Sequence, residues 1–214
     1  MKLFHLLMKV FMSLKYKVDV ISEQEYLAGE LTSQVKHELL NGDVYAMAGA
    51  STNHNRIVAN IIREFGNHLK GMPCEPFASD MKAKVGHNFF YPDVMVVCDH
   101  QEKDFGVTDS PVIIVEILSK YTRKIDQTLK RSAYQSLDSL QEYVVIEQDI
   151  VDIEICRRSN HWRSEHYYLG DEVMFESIDV KIPVVEIYDR LDIADVQDYL
   201  LALQADEHEL ENAE

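Results

Sequence analysis

Glycine is scarce in this chain, eight in 214 residues, and none falls in the spacing of a P-loop or a dinucleotide-binding turn. The sequence therefore holds no glycine-built cradle for a nucleotide phosphate. Cysteine is scarcer still: Cys74, Cys98 and Cys156 are odd in number, widely spaced and mostly inside apolar, strand-like stretches. That fits neither a disulfide framework nor a zinc knuckle, and the expectation is three reduced core residues in a cytoplasmic protein. No apolar run reaches the length of a membrane span. His161 and His166, five apart, lack the spacing of a His-Glu-x-x-His zinc helix and read as strand-surface residues. Positive charge is also in short supply, 21 Lys and Arg against 37 Asp and Glu, for a net −16. Phosphate binding usually shows as a basic surface, so any nucleic-acid site here has to be a local basic patch.

With 46% hydrophobic residues, no internal repeat and no low-complexity linker, the chain reads as one well-cored α/β domain over residues 20–195. An acidic tail over 196–214 carries Asp206, Glu207, Glu209, Glu211 and Glu214 without a Lys or Arg. The opening segment, residues 1–19, resembles a secretory signal in its lysines and apolar run. His5 and Lys9 interrupt that run and no small-residue cleavage site follows, so a disordered or misassigned start, with translation beginning at Met12, is expected instead.

Ser22, three residues before Glu25, forms a capping-box pattern, and a short helix over 22–30 is expected with Gly29 near its stop. Asn41-Gly42 between two apolar-rich runs predicts a hairpin of strands 36–40 and 43–48. Apolar residues at 57, 58, 61, 62, 65 and 69 keep helical spacing after a Ser51 or Thr52 cap. Strands follow near 74–84, 89–98 and 112–118, then a helix near 122–137, a strand near 142–148, and an antiparallel hairpin from "DIVDIEICRR" and "HWRSEHYYL". Trp162, Tyr167 and Tyr168 are candidates for stacking bases, although aromatics on strands more often serve the core.

The chemistry concentrates around "VIIVEILSK", residues 112–120. Its β-branched run reads as a strand buried on both faces, with Glu116 in the middle, and an unpaired carboxylate there costs several kcal/mol or is forced neutral. Asp93, just after Pro92 in "YPDVMVV", lies where the preceding strand enters the sheet. If the two strands are antiparallel neighbours, the carboxylates of Asp93 and Glu116 meet, and Mg²⁺ or Mn²⁺ is the natural ion to lie between them. The plainer alternative is an Asp at a strand start and a Glu paired with a lysine. Directly after Glu116, Lys120, Arg123, Lys124, Lys130 and Arg131 concentrate positive charge in an acidic chain. Asp126, Lys130 and Tyr134 share one helical face, so Lys130 can reach back to the carboxylates. A surface Asp126–Lys130 pair with Tyr134 as packing is the alternative. His54, at the start of the first long helix, is a candidate substrate contact.

"YPDVMVV", "VEILS", the Asp126-x3-Lys130-x3-Tyr134 helix and "HELLNGDVYAMAGASTNHNRIVANI" together resemble the Uma-two family of restriction-endonuclease-like proteins, within the PD-(D/E)XK nuclease-like superfamily. The resemblance covers roughly residues 20–190. It implies a mixed β-sheet flanked by α-helices and metal-dependent hydrolysis of DNA phosphodiester bonds. Asp93 and Glu116 match the metal ligands. The lysine that normally follows the acid by two residues is replaced by Leu118, and Lys130 matches a lysine moved to the next helix. Glu38 matches an acid on the early segment that completes the metal site or holds a water. From the residues themselves, Lys120, Arg123, Lys124, His54 and Tyr134 are the candidate substrate contacts, and a homodimer would supply two sites for two strand cuts. Two other readings stay open: a non-catalytic nuclease-fold protein for DNA binding or assembly, and an RNA or nucleotide phosphohydrolase.

Overall fold

The computed structural model describes residues 20–47, 49–100, 106–118 and 129–211, the last six as backbone only. The opening segment with Met12, and the basic stretch holding Lys120, Arg123, Lys124 and Asp126, lie outside the described residues.

Two sheets and a small ribbon carry the fold. Helix α1 (Glu23–Glu30) is followed by β1 (His37–Leu40), β2 (Asp43–Ala46), α2 (Thr52–His68), β3 (Cys74–Ala78), β4 (Lys82–Val85), β5 (Asn88–Phe90), β6 (Val94–Cys98), β7 (Val107–Thr108) and β8 (Pro111–Leu118). Then come α3 (Arg131–Gln135), β9 (Glu142–Glu147), β10 (Ile153–Arg157), β11 (Ser164–Tyr167), β12 (Glu172–Phe175), β13 (Val180–Pro183), α4 (Val184–Ile187) and α5 (Ala194–Glu211). The larger sheet has six strands in the order β11-β10-β9-β8-β6-β3, and the smaller has five, β2-β1-β5-β4-β7. Within the larger sheet β8 and β9 run parallel, and its other neighbours are antiparallel. This is the mixed sheet flanked by helices that the sequence predicts.

Local signals explain most of the elements. Ser22 and Glu25 form the capping box at α1. Asn41 and Gly42 both have positive φ, 53° and 86°, as the tight β1–β2 turn requires. A side chain at Gly42 would also collide with Val20, whose Cγ1 lies 2.0 Å from where a Cβ would stand. Ser51 caps α2, and its Ile57, Ile61 and Phe65 are buried against the larger sheet. The opposite face of that sheet packs Met95, Ile114, Leu118, Tyr143 and Val145 against Tyr134 of α3. Residues 194–211, mostly inside the expected acidic tail, are helical, and α5 is tied to the body by Asp195, which accepts the Val151 N–H at 2.8 Å. No helix among the described residues is long and apolar enough to cross a membrane.

Two expectations need correction. The single strand pieces expected near 74–84 and 89–98 are each two strands in different sheets, β3 with β4 and β5 with β6, the second pair parted at Tyr91–Asp93. After a last β3–β6 rung, in which the Ser79 N–H binds the Asp93 carbonyl, the chain turns as the Asp80 and Met81 N–H groups close on the Ala78 carbonyl, and it crosses over. Nor are all the cysteines reduced: Cys74 and Cys98 form a disulfide, and Cys156 alone is free and buried. The physical reason is register. Cys74 opens β3 and Cys98, 24 positions on, ends β6, and the register of these antiparallel neighbours sets the two cysteines directly opposite each other.

Candidate active site

The site forms where the chain passes from one sheet to the other. Tyr91, Pro92 and Asp93 join β5 of the smaller sheet to β6 of the larger, and proline at this junction removes a ladder donor that is not needed there. Val94 pairs with Val115 across antiparallel β6 and β8, so Asp93 and Glu116 come level on the next rung, as expected. Asp93 Oδ2 accepts the N–H of Ile117, the residue after Glu116, at 2.7 Å. Glu116 points to the α3 side of the sheet with Ile114 and Leu118, and is only 3% exposed.

Helix α3 supplies the counter-charge. Lys130, 5% exposed, places Nζ 3.4 Å from Glu116 Oε1 and 2.8 Å from Glu38 Oε1. One helical turn on, the Tyr134 hydroxyl donates to Glu116 Oε1 at 2.9 Å. Residues at i and i+4 of one helix thus meet the same carboxylate oxygen, as their spacing predicts. Burial pushes the Tyr134 hydroxyl well above a tyrosine's usual range, and the neighbouring Glu116 and Glu38 carboxylates add to the effect. The phenol keeps its proton and remains a donor. Its ring is fully buried, so Tyr134 stands behind Glu116 and not on a surface that a substrate would reach.

Glu38 comes from β1 of the smaller sheet, and its Oε1 also accepts the Tyr91 N–H at 3.0 Å. Tyr91, two residues before Asp93, therefore anchors the second acid that holds Lys130. Tyr91 in turn donates through its hydroxyl to Glu30 Oε2 at 3.0 Å, and Glu30 also holds the His37 ring at 2.8 Å. Neither Tyr91 nor Glu30 stands out in the sequence, since no periodicity shows that a linker backbone will bind a strand carboxylate. His54, in the first turn of α2, lies with Nε2 3.1 Å from Asp93 Oδ1. Glu116, Glu38, Lys130 and Tyr134 thus form one set of contacts, and His54 with Asp93 forms a second that meets it through the Ile117 N–H, on the residue after Glu116.

The slot two residues after Glu116 is filled by Leu118, 1% exposed and packed in the core. Only a lysine from another element can serve this site. Of the other lysines near it, Lys84 binds Glu23 at 2.6 Å, and Lys82 lies 5.0 Å from the centre of the Tyr91 ring with its ammonium pKa lowered chiefly by burial. Two of the aromatic candidates are engaged within the protein, Arg158 stacking over the part-buried Trp162 and Tyr167 binding Arg157, whereas Tyr168 is exposed.

Among the described residues no group of three or more His, Cys, Asp and Glu side chains is arranged to hold a metal ion. The donor chemistry of Asp93 and Glu116 nevertheless fits a hard divalent cation, being carboxylate oxygen from two adjacent strands at one level. His54 on Asp93 and Lys130 on Glu116 already bring positive or proton-bearing groups to both acids.

Similarity to known proteins places this geometry in a family. Residues 23–182 match the family described as "Uma2: Putative restriction endonuclease". Two uncharacterized proteins of Synechocystis sp. are similar to the chain. One is 33% identical over 173 residues, covering 78% of this chain and 91% of that protein. The other is 30% identical over 176 residues, covering 78% and 96%. The fold resembles the crystal structure of a "putative nuclease belonging to DUF820" from Anabaena variabilis, with a TM-score of 0.66 at 16% identity, over 80% of this chain and 99% of that one. The match over residues 23–182, together with relatives at 33% and 30% identity over most of their length, makes this chain a member of the Uma2 restriction-endonuclease-like family.

Proposed function

We propose that the protein is an endonuclease that hydrolyses phosphodiester bonds in DNA with Mg²⁺ or Mn²⁺. The observation that carries this reading is a carboxylate, Glu116, buried in the middle of a sheet, level with Asp93 and contacted by the ammonium of Lys130. A purely structural strand would hold an apolar residue there at lower cost.

Asp93 and Glu116 are the residues that would hold the cation. When bound, it supplies Lewis-acid polarisation of the scissile phosphate. Asp93 is oriented by the Ile117 N–H and Glu116 by the Tyr134 hydroxyl, so neither carboxylate has to be ordered when substrate arrives. Lys130, held by Glu38, orients the attacking water or stabilises charge developing on the phosphate. His54 faces Asp93 from α2 and contacts the strand being cut, and Lys120, Arg123 and Lys124 supply local positive charge for its backbone.

The test is incubation of the purified protein with supercoiled plasmid, single-stranded DNA and RNA at fixed salt, with Mg²⁺, Mn²⁺ or EDTA. Metal-dependent nicking of DNA supports the reading. Cleavage confined to RNA or nucleotides moves the same site to another substrate. Binding of DNA without cleavage under any condition favours the rival, a nuclease-fold binding protein, to which Leu118 and the net charge of −16 lend weight.

A further inference from the structure

The first turn of α2 abuts this site and carries donors that the mechanism above does not use. Ser51 Oγ accepts the His54 N–H at 3.0 Å and donates to Gln148 Oε1. Among the described residues the N–H groups of Thr52 and Asn53 have no acceptor, as helix geometry leaves them in any first turn. The helix runs for 17 residues and has no acid in that turn, so the positive end of its dipole is not neutralised from within.

An independent observation comes from Gln148. It follows the last residue of β9, one position beyond the Leu118–Glu147 rung, and is only 7% exposed. Ser51 fixes its carboxamide through Oε1, and among the described residues Nε2 has no acceptor. Nε2 is not sealed in either: the buried side-chain polar atoms without a partner are the Nε atoms of Arg131 and Arg157. A carboxamide more than nine-tenths buried, with its oxygen tied to a helix cap and its amide protons unused by the protein yet open to the outside, is a fixed donor available to an incoming acceptor. The contacts Gln148–Ser51–His54–Asp93 run without a break, so the cap that holds Gln148 is linked through His54 to the acid of the candidate active site.

We propose that Gln148 Nε2 and the N–H groups of Thr52 and Asn53 form an anion subsite that seats a backbone phosphate of the nucleic-acid strand, next to the scissile one. The inference rests on the nuclease reading for its ligand but not for its geometry. It also explains how so acidic a chain reads a phosphate: with neutral amide donors and a helix dipole, which add no net charge to the surface.

The test uses the full chain in EDTA, so that no step depends on cleavage. Inorganic phosphate is titrated, against chloride at equal ionic strength, while amide NMR signals are followed. Saturable shifts are expected at the Thr52 and Asn53 amides and the Gln148 side-chain amide. They should be lost in Gln148→Glu and weakened in Gln148→Met, which keeps the size without the donor. In parallel, single-stranded DNA carrying one uncharged methylphosphonate at successive positions is bound to wild type and both variants. Wild type should lose about tenfold in affinity at one position, and the variants should show no such position. Absent or non-saturating shifts, or the same methylphosphonate sensitivity in all three proteins, would overturn the subsite while leaving the nuclease reading intact. Phosphate shifts at these three groups with no binding of DNA by wild type would overturn the strand as their ligand and count against the nuclease reading itself.

Discussion

Two sets of buried charges sit on the larger sheet, on opposite faces and toward opposite ends of its central strands, and they are built differently. On the α2 face, Glu142 at the start of β9 accepts the N–H groups of Glu176 and Ser177, each at 3.0 Å, together with the Ser177 hydroxyl. Beside it Arg157, 4% exposed, binds Glu165, the Tyr167 hydroxyl and the Met174 carbonyl with its guanidinium fork. These bonds tie β9 and β10 to β11, β12 and the turn after β12. On the α3 face, Glu116 and Glu38 are held by the mobile-stemmed ammonium of Lys130 and by Tyr134, at the junction of two sheets. Arginine in a rigid fork with backbone partners is a staple, whereas lysine between two carboxylates is a point charge that can shift when a substrate or cation enters. Burial of charge alone therefore does not mark a site. What the buried charge is anchored to does.

That contrast can be broken most decisively at the staple. Arg157→Ala should cost about 3–5 kcal/mol of stability, because it leaves Glu142 buried without its cation, and urea denaturation reads this directly. The surviving folded fraction should keep full activity per molecule. A stable Arg157→Ala protein that has lost cleavage would mean that the two clusters have been assigned the wrong way round.

Lys130→Ala should lower the cleavage rate about 100-fold or more, as loss of a single charge-stabilising donor does elsewhere. It should also lower the thermal midpoint in EDTA, since two carboxylates lose their shared ammonium, and Mn²⁺ should restore that midpoint by taking the cation's place. No such metal rescue is expected for Arg157→Ala. Scanning fluorimetry with and without Mn²⁺ separates the two.

Tyr134→Phe removes one hydrogen bond to a buried carboxylate, and a loss of about 1–3 kcal/mol is expected, with a smaller fall in rate than for Lys130→Ala. The smallest effect concerns alkaline pH. Burial raises the hydroxyls of Tyr134, Tyr91 and Tyr188 above a free tyrosine's 10.0, so the folded state holds protons that the unfolded chain releases. Their contribution is fully present below pH 10.0 and is lost as pH rises above it. Tyr134→Phe should blunt that loss, as read from urea midpoints across the range.

Much of the site was legible because its parts obey local rules. The Asn41-Gly42 turn, the capping box at Ser22, the periodicity of α2 and the four-residue step from Lys130 to Tyr134 are each encoded within a few neighbouring residues. Asp93 and Glu116 could be paired because a proline marked where one strand starts and a lone acid interrupted the next. What escaped depends on register or on tertiary proximity. The Cys74–Cys98 bridge exists only once β3 and β6 are aligned. The break at Ser79–Met81 that sends the chain into a second sheet carries no glycine or proline. Tyr91, Glu30, Gln148 and the Arg157 cluster act through backbone groups and distant side chains, and a sequence shows neither.

The most direct test of the account is a calorimetric titration of Mg²⁺ and Mn²⁺ into wild-type protein and into Glu116→Gln, with thermal melts confirming that both are folded. The account predicts saturable binding to wild type and its loss in Glu116→Gln, which keeps the shape and the Tyr134 contact but not the charge. An unchanged titration in a folded Glu116→Gln protein would contradict it, and Glu116 would then be a second staple instead of the centre of an active site.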